Sequence, residues 1–155
     1  MPTVRVFIEN EAGSDIKHHH DEVRLVETHL ERVRAPYPYP YGFVPGTLAA
    51  DGDAVDCFVI TRRRLHTGDL VAAEVLGLME QFDGGGANHN VVAVLPGEPL
   101  PDLALLRDEL AAFVEEVFRG LPGRESTAGR LLPVDHALAH LAACLPPGAG
   151  PVWAG

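Results

Sequence analysis

The chain has 155 residues, 46% hydrophobic and 22% charged, which suits one folded domain with a real core spanning residues 1–155. Its 12 Lys and Arg against 22 Asp and Glu give a formal net charge of −10, which argues against nucleic acid or an anionic membrane as partner. No apolar run is long enough to span a bilayer, MPTVRVFIEN does not form a signal peptide, and Cys57 and Cys144 lack metal-ligand spacing, so a reduced, cytoplasmic protein is expected.

Residues 3–9, TVRVFIE, alternate polar and apolar and predict a strand. A turn containing Gly13 follows, then Lys17-His18-His19-His20-Asp21, then a second strand over residues 23–27. Residues 35–50, rich in Pro, Tyr and Gly, predict an ordered loop with a short strand at Gly42-Phe43-Val44. VDCFVIT, residues 55–61, reads as a buried strand. Residues 69–79 predict a long strand or a bent pair of strands, residues 81–90 a Gly-rich loop, and residues 91–95 another strand. The period then changes: Leu103, Leu106, Leu110, Phe113, Val114, Val117 and Leu121 share one helical face, with Asp102 as N-cap and Gly120 as stop. A shorter helix is predicted over residues 135–144, and the Pro/Gly-rich tail reads as irregular, with Trp153 available to dock. Strands first and helices last predict an α+β layout, a small barrel or curled sheet covered by two helices.

The chemistry concentrates in residues 37–56, YPYPYGFVPGTLAADGDAVD. Asp51, Asp53 and Asp56 crowd three carboxylates into six residues, which repel one another unless a cation or a shared proton intervenes. The hexapeptide offers oxygen ligands only, which favours a hard divalent ion, Mg²⁺ before Zn²⁺. The preceding Tyr-Pro alternation is a stiff connection that holds the acids in place. Asp83 and Glu9 complete the set of candidate acids. A bare Asp-Gly-Asp is more often a solvated turn, but here its surroundings carry further information.

Tyr37-Pro-x-x-Tyr41-Gly-Phe43-Val44-Pro45-Gly46-Thr47-Leu48, followed by Asp51-Gly52-Asp53-Ala54-Val55-Asp56, resembles the signature of the soluble family I inorganic pyrophosphatases, close to YPxxYGFIPxTLxxDGDPxD. Phe7-Ile8-Glu9, Lys17, Gly77-Leu78-Met79 leading to Asp83, and Phe118-Arg119 extend the likeness over about residues 6–119. The resemblance implies an α+β fold: a five-stranded OB-like β-barrel with two C-terminal helices packed on it. It implies Mg²⁺-dependent hydrolysis of inorganic diphosphate to two orthophosphates. Asp51 and Asp56 would hold the activating metals, and Asp53 would accept a proton from the attacking water. Asp83 and Glu9 would serve metals that arrive with substrate. Lys17 and Arg119 would neutralise phosphate, and Tyr41 would support the site. A homo-oligomer, a hexamer as in bacterial members, is implied as well.

Several positions depart from the family pattern. His29 stands where the family has a phosphate-binding arginine, Asn88 and Asn90 where it has an aspartate and a lysine, His19 where it has a second glutamate, and Phe118-Arg119 where it has Tyr-Lys. Asn88 retains a carbonyl oxygen for a metal but no charge. His19 and His29 either contact phosphate when protonated or, with His18 and His20, bring Mn²⁺, Co²⁺ or Zn²⁺ to the acids; a solvated polar loop is the plain alternative. His136 and His140 read as surface residues of the last helix, and Gly84-Gly85-Gly86 as a flexible loop rather than a nucleotide phosphate loop. The departures leave two other readings open: a metal-dependent phosphohydrolase of the same fold acting on an organic diphosphate or phosphoester, and a non-catalytic metal- or phosphate-binding relative.

Overall fold

The computed structural model describes residues 1–84 and 86–154. Strand β1 (Thr3–Asn10) follows the alternation of its sequence, with Val4, Val6 and Ile8 in the main core and Phe7 on the other face against Phe43 and Ala54. β2 (Ile16–Asp21) and β3 (Val26–Arg32) form a separate antiparallel hairpin. The predicted strand over residues 23–27 is corrected in its bounds: residues 22–25 turn, and the strand begins at Val26 and runs on to Arg32. The Asp21 carboxylate accepts from the backbone N–H of Val23 (3.0 Å) and Arg24 (2.7 Å), and Leu25 takes a positive φ of 58°. His18, His19 and His20 consequently lie on a strand, not in a loop.

β4 (Tyr41–Phe43) and β5 (Asp56–Ile60) follow, then β6 (Leu70–Asp83), a two-residue β7 (Gly86–Ala87) and β8 (Asn90–Val94). β1, β4, β5, β8 and β6 pair in a closed ring, with β5–β8 parallel and the other contacts antiparallel. Gly42 is required at the β1–β4 seam: a Cβ there would stand 1.7 Å from the Phe7 carbonyl oxygen. β5 and β8 are buried on both faces, which explains their unbroken apolar sequences. Cys57, Val59, Val91 and Ala93 point to the interior with Val4 and Val6, while Phe58, Val92 and Val94 point outward to α1 (Leu103–Glu116).

Helix α1 lays Leu106, Leu110, Phe113 and the following Val117 on that outer face, and the Asp102 carboxylate caps it by accepting from Leu105 N–H at 3.1 Å. The helix ends at Glu116, short of the predicted stop at Gly120, which takes positive φ in the turns that follow. β9 (Ser126–Pro133) is a strand that the sequence, with its Gly and terminal Pro, did not announce; it pairs with β6. β6 itself runs four residues past the predicted end at Met79, so much of the expected loop is strand. Of the Gly84-Gly85-Gly86 run, Gly85 lies outside the described residues. Helix α2 (Val134–Ala143) sets Ala137 and Leu141 into the ring interior. In the tail, β10 (Trp153–Ala154) pairs with β1, and Trp153 docks on the core. Both cysteines are free and buried, as expected. His136 is exposed, but His140 is half-buried with its ring 5.9 Å from that of His89, a correction to its reading as a surface residue. No helix among the described residues is long and apolar enough to cross a membrane.

Candidate active site

The acids reach one cleft because the elements bearing them end at one mouth of the ring. Glu9 is the extra residue of a β-bulge: Ile8 pairs with Gly42 and Asn10 with Tyr41, leaving Glu9 without a partner on β4. Bulges re-aim side chains, and this one turns a carboxylate into the cleft from a strand whose neighbours face the core. Asp56 opens β5, one strand further along the ring, opposite Phe43 of β4. The segment between β4 and β5 is a hydrogen-bonded loop. Thr47 Oγ1 donates to the Val44 carbonyl (2.7 Å) and accepts from Val55 N–H (2.8 Å), and Gly52 at φ 90° makes the tight turn that presents Asp51 and Asp53. The Asp51 carboxylate accepts from the Asp53 N–H at 3.0 Å, so the two exposed acids are held in register. Asp83, the last residue of β6, and Asn88, between β7 and β8, complete the acidic side of a cleft of about 760 Å³.

The electrostatics follow from crowding. Burial pushes the Glu9 carboxyl up to about 8, with the charges of Asp56 and Glu22 adding and Lys17 opposing. Its Oε2 lies 3.2 Å from His20 Nδ1. Burial likewise lifts Asp56 to about 6 against the pull of Lys17 and the Tyr41 hydroxyl, while Asp51 and Glu22 raise it further. Burial alone would lower the Lys17 ammonium's pKa, but Tyr37, Asp56 and Glu9 around it prevail and hold it above its ordinary value. The Lys17 Nζ stands 3.5 Å from the Tyr37 hydroxyl and 5.1 Å from the centre of the Tyr41 ring. Tyr41 anchors a buried polar chain: its hydroxyl donates to Asn90 Oδ1 (3.3 Å), and Asn90 Nδ2 donates to Gln81 Oε1 (2.7 Å). Asn90 thus braces the site from behind rather than facing it.

The cleft also collects residues that the sequence did not single out. Glu22, in the turn of the β2–β3 hairpin, accepts from the Ala54 N–H at 2.9 Å and so reaches the Asp51–Asp56 loop from across the mouth. Arg124 lies in the turn before β9. It forms a two-pronged ion pair with Glu31, one prong at 2.8 Å, and its guanidinium stacks 4.3 Å from the Phe118 ring. These hydrogen bonds hold the Glu31 carboxyl down at about 2. His19 Nε2 also meets Glu31, at 3.2 Å. No local pattern marks Glu22 or Arg124; only the hairpin turn and the β6–β9 pairing bring them in.

Two expected phosphate contacts lie elsewhere. Arg119 is exposed on the far side of its turn, bound to Glu116 at 2.6 Å, and does not line the cleft. His29 is exposed on β3, stacked on His19 with ring centres 4.0 Å apart, and does not line the cleft either. His29 shares the face of its register partner His19 but stands one strand further from the ring, and α1 ends at Glu116, which leaves Arg119 in the turn that follows. Glu9, Lys17, His19, Tyr41, Asp51, Asp53, Asp56, Asp83 and Asn88 do line it. Among the described residues no three His, Cys, Asp or Glu side chains converge closely enough to enclose a metal ion by themselves. The acids surround the cleft instead of meeting at a point, as mutually repelling carboxylates do. Their chemistry still fits a hard divalent cation. The acids and Asn88 offer oxygen donors, the imidazoles of His19 and His20 being the nitrogen donors of the lining, and two carboxyls are forced towards protonation by burial and by one another, a strain that a cation would relieve.

The family model described as inorganic pyrophosphatase matches residues 6–119. The chain is 36% identical over 140 residues to the inorganic pyrophosphatase of Nostoc sp., covering 83% of this chain and 80% of that protein. It is 34% identical over 137 residues to the inorganic pyrophosphatase of Halalkalibacterium halodurans, covering 81% and 83%. Among solved structures, the inorganic pyrophosphatase of Thermus thermophilus superposes with a TM-score of 0.81 at 29% identity, covering 92% of this chain and 89% of that one. The inorganic pyrophosphatase of Coxiella burnetii gives 0.81 at 27%, covering 92% and 93%.

Proposed function

The chain belongs to the inorganic pyrophosphatase family, and from that premise we propose how its cleft hydrolyses inorganic diphosphate to two orthophosphates with the help of a divalent metal ion. The observation that carries the reading is one cleft holding Glu9, Asp51, Asp53, Asp56 and Asp83 together with two cations, Lys17 and Arg124. Diphosphate is a compact polyanion, and its cleavage asks the protein chiefly for position and charge. The predominantly carboxylate donor set favours Mg²⁺, with Asp51, Asp56, Asp83, Glu9 and the Asn88 carbonyl oxygen as its holders; Mn²⁺, Co²⁺ or Zn²⁺, which the His19 and His20 imidazoles of the lining would suit, are the alternatives. When bound, such a cation neutralises the phosphates and acidifies the attacking water.

The chain's own groups do the rest. Lys17, kept protonated by Tyr37, Asp56 and Glu9, presents an ammonium to one phosphate. Arg124 supplies the second cation, the part the sequence assigned to Arg119. Asp53 is exposed in a braced turn and accepts the proton lost by the attacking water. Tyr41, fixed by Asn90, keeps Asp56 and Lys17 at their spacing. Phe113, Val117 and Phe118 form an apolar wall that limits water around the reacting group. One domain over residues 1–155, a homo-oligomeric, hexameric assembly and a cytoplasmic location belong to the same proposal; the exposed Val26 and Leu30 on β3 support the assembly.

Phosphate release from diphosphate with Mg²⁺ tests the reading, comparing wild type with Asp53→Asn. Turnover is expected to vanish while Mg²⁺ binding by calorimetry survives. Wild-type rates in the variant would remove Asp53 from its role. Release from organic diphosphates alone would replace the substrate.

A further inference from the structure

The structure assigns a second anion site to this chain, behind the Tyr-Pro strip and apart from the cleft: Arg62, Arg63 and Arg64 bind a compact polyphosphate anion, free or as the phosphate chain of a nucleotide. The strip alternates, with Tyr37 and Tyr41 facing the cleft while Pro38 and Tyr39 face the other way. On that outer side lies a cavity of about 540 Å³, floored by the buried Thr61 and Leu65 and walled by Pro38, Tyr39 and the three arginines. Its size falls in the range of small-ligand sites. It shares no lining residue with the catalytic cleft.

Charge makes this place unusual. The chain carries only 12 Lys and Arg, and three of them are consecutive here. All three are exposed and none forms an ion pair among the described residues; Arg5, Arg24 and Arg34 are also unpaired, but they are scattered, and only here do three such charges stand side by side. Three like charges repel one another, and a bound polyanion removes that repulsion. Guanidinium forks match phosphate oxygens in pairs. The backbone that carries them is fixed: Thr61 Oγ1 accepts from the Arg63 N–H at 3.0 Å and donates to Glu98 at 2.7 Å. Tyr39 is fixed too, its hydroxyl donating to Glu109 at 2.5 Å. Glu11 is the one acid in the lining; its carboxylate stands within 3.9 Å of His66 and 3.4 Å of the Thr67 N–H.

The class of ligand follows from the surroundings. A net charge of −10 repels an extended polyanion such as nucleic acid or a membrane, which must pass over the acidic surface as well. A small anion meets only the arginines. The inference does not rest on the hydrolytic reading, because binding here is measured without turnover.

The test is calorimetry of the full chain in chelator at physiological ionic strength, with inorganic triphosphate and ATP as probes. One equivalent of probe is expected to bind. The combined variant Arg62→Ala, Arg63→Ala, Arg64→Ala, shown folded by its circular dichroism, is expected to bind at least about tenfold more weakly. The corresponding triple Lys variant, which keeps point charges but loses the forks, is expected to fall between. Equal affinity for the two probes means that the site reads phosphates alone; tighter ATP means that Tyr39 adds a contact to the base. Absence of binding, unchanged affinity in the triple Ala variant, loss of binding in Lys17→Ala, or binding to anionic vesicles and to neither probe would each overturn the assignment.

Discussion

Replacing Glu31 by Gln removes the charge that positions Arg124 while leaving the shape of the side chain. The Glu31 carboxyl sits at about 2 in the folded protein against an ordinary value of 4.5. That difference corresponds to at most ~3 kcal/mol of stability at neutral pH. The Arg124 side chain is 40% exposed, so solvent screening reduces the expectation to ~1–2 kcal/mol. For a chain of this length that lowers the melting temperature by roughly 2–8 °C at pH 7. The sign of the pH dependence is fixed: a depressed carboxyl stabilises above its unfolded value and loses its contribution as pH falls through the folded one. The gap between wild type and variant should therefore be full above about pH 5, and under half its size by about pH 3. Urea midpoints for both proteins across pH 3–8 measure it. A gap that stays constant, or widens as the solution becomes more acidic, would refute the charge-pair account.

Arg124→Ala is expected to raise KM for diphosphate about 10- to 100-fold, from the loss of one charge-assisted contact, whereas Arg119→Ala should stay within about twofold; steady-state kinetics of both variants decide which arginine faces the substrate. Asn88→Asp adds a negative ligand at the cleft and should tighten Mg²⁺ binding, so calorimetry showing no gain would exclude Asn88 as a ligand. Gly42→Ala forces a Cβ to 1.7 Å from the Phe7 carbonyl oxygen and should cost at least ~3 kcal/mol or prevent folding, read as a drop of roughly 6 °C or more in thermal melts.

What could be read from the chain before its fold was known was whatever a local pattern encodes. The alternation of β1, the double-sided apolar runs of β5 and β8, and the Asp102-capped face of α1 were all legible, because each is written in neighbouring residues. The Tyr37-to-Asp56 stretch was legible for the same reason: one loop carries the turn glycine and three acids together. β9 was not, since a Gly- and Pro-bearing sequence becomes a strand only when β6 offers it an edge. Glu22 and Arg124 were hidden alike, because each enters the cleft through a turn whose direction depends on distant pairing. The hairpin was misjudged by a few residues, where Asp21 hydrogen-bonds the turn that the Val residues around it had masked as strand.

Strand β6 outruns its ring. Its pairing with β8 ends at Met79, and residues 80–83 project beyond, held by β9 and the short β7. Asp83 stands at the tip of this projection opposite Ser126, two residues after Arg124. The acid proposed to hold the cation and the arginine proposed to meet the anion therefore sit at one end of a single ribbon, and the Arg124–Glu31 ion pair ties that end to the β2–β3 hairpin. Shortening β6 at its tip would remove both groups at once and loosen the hairpin as well.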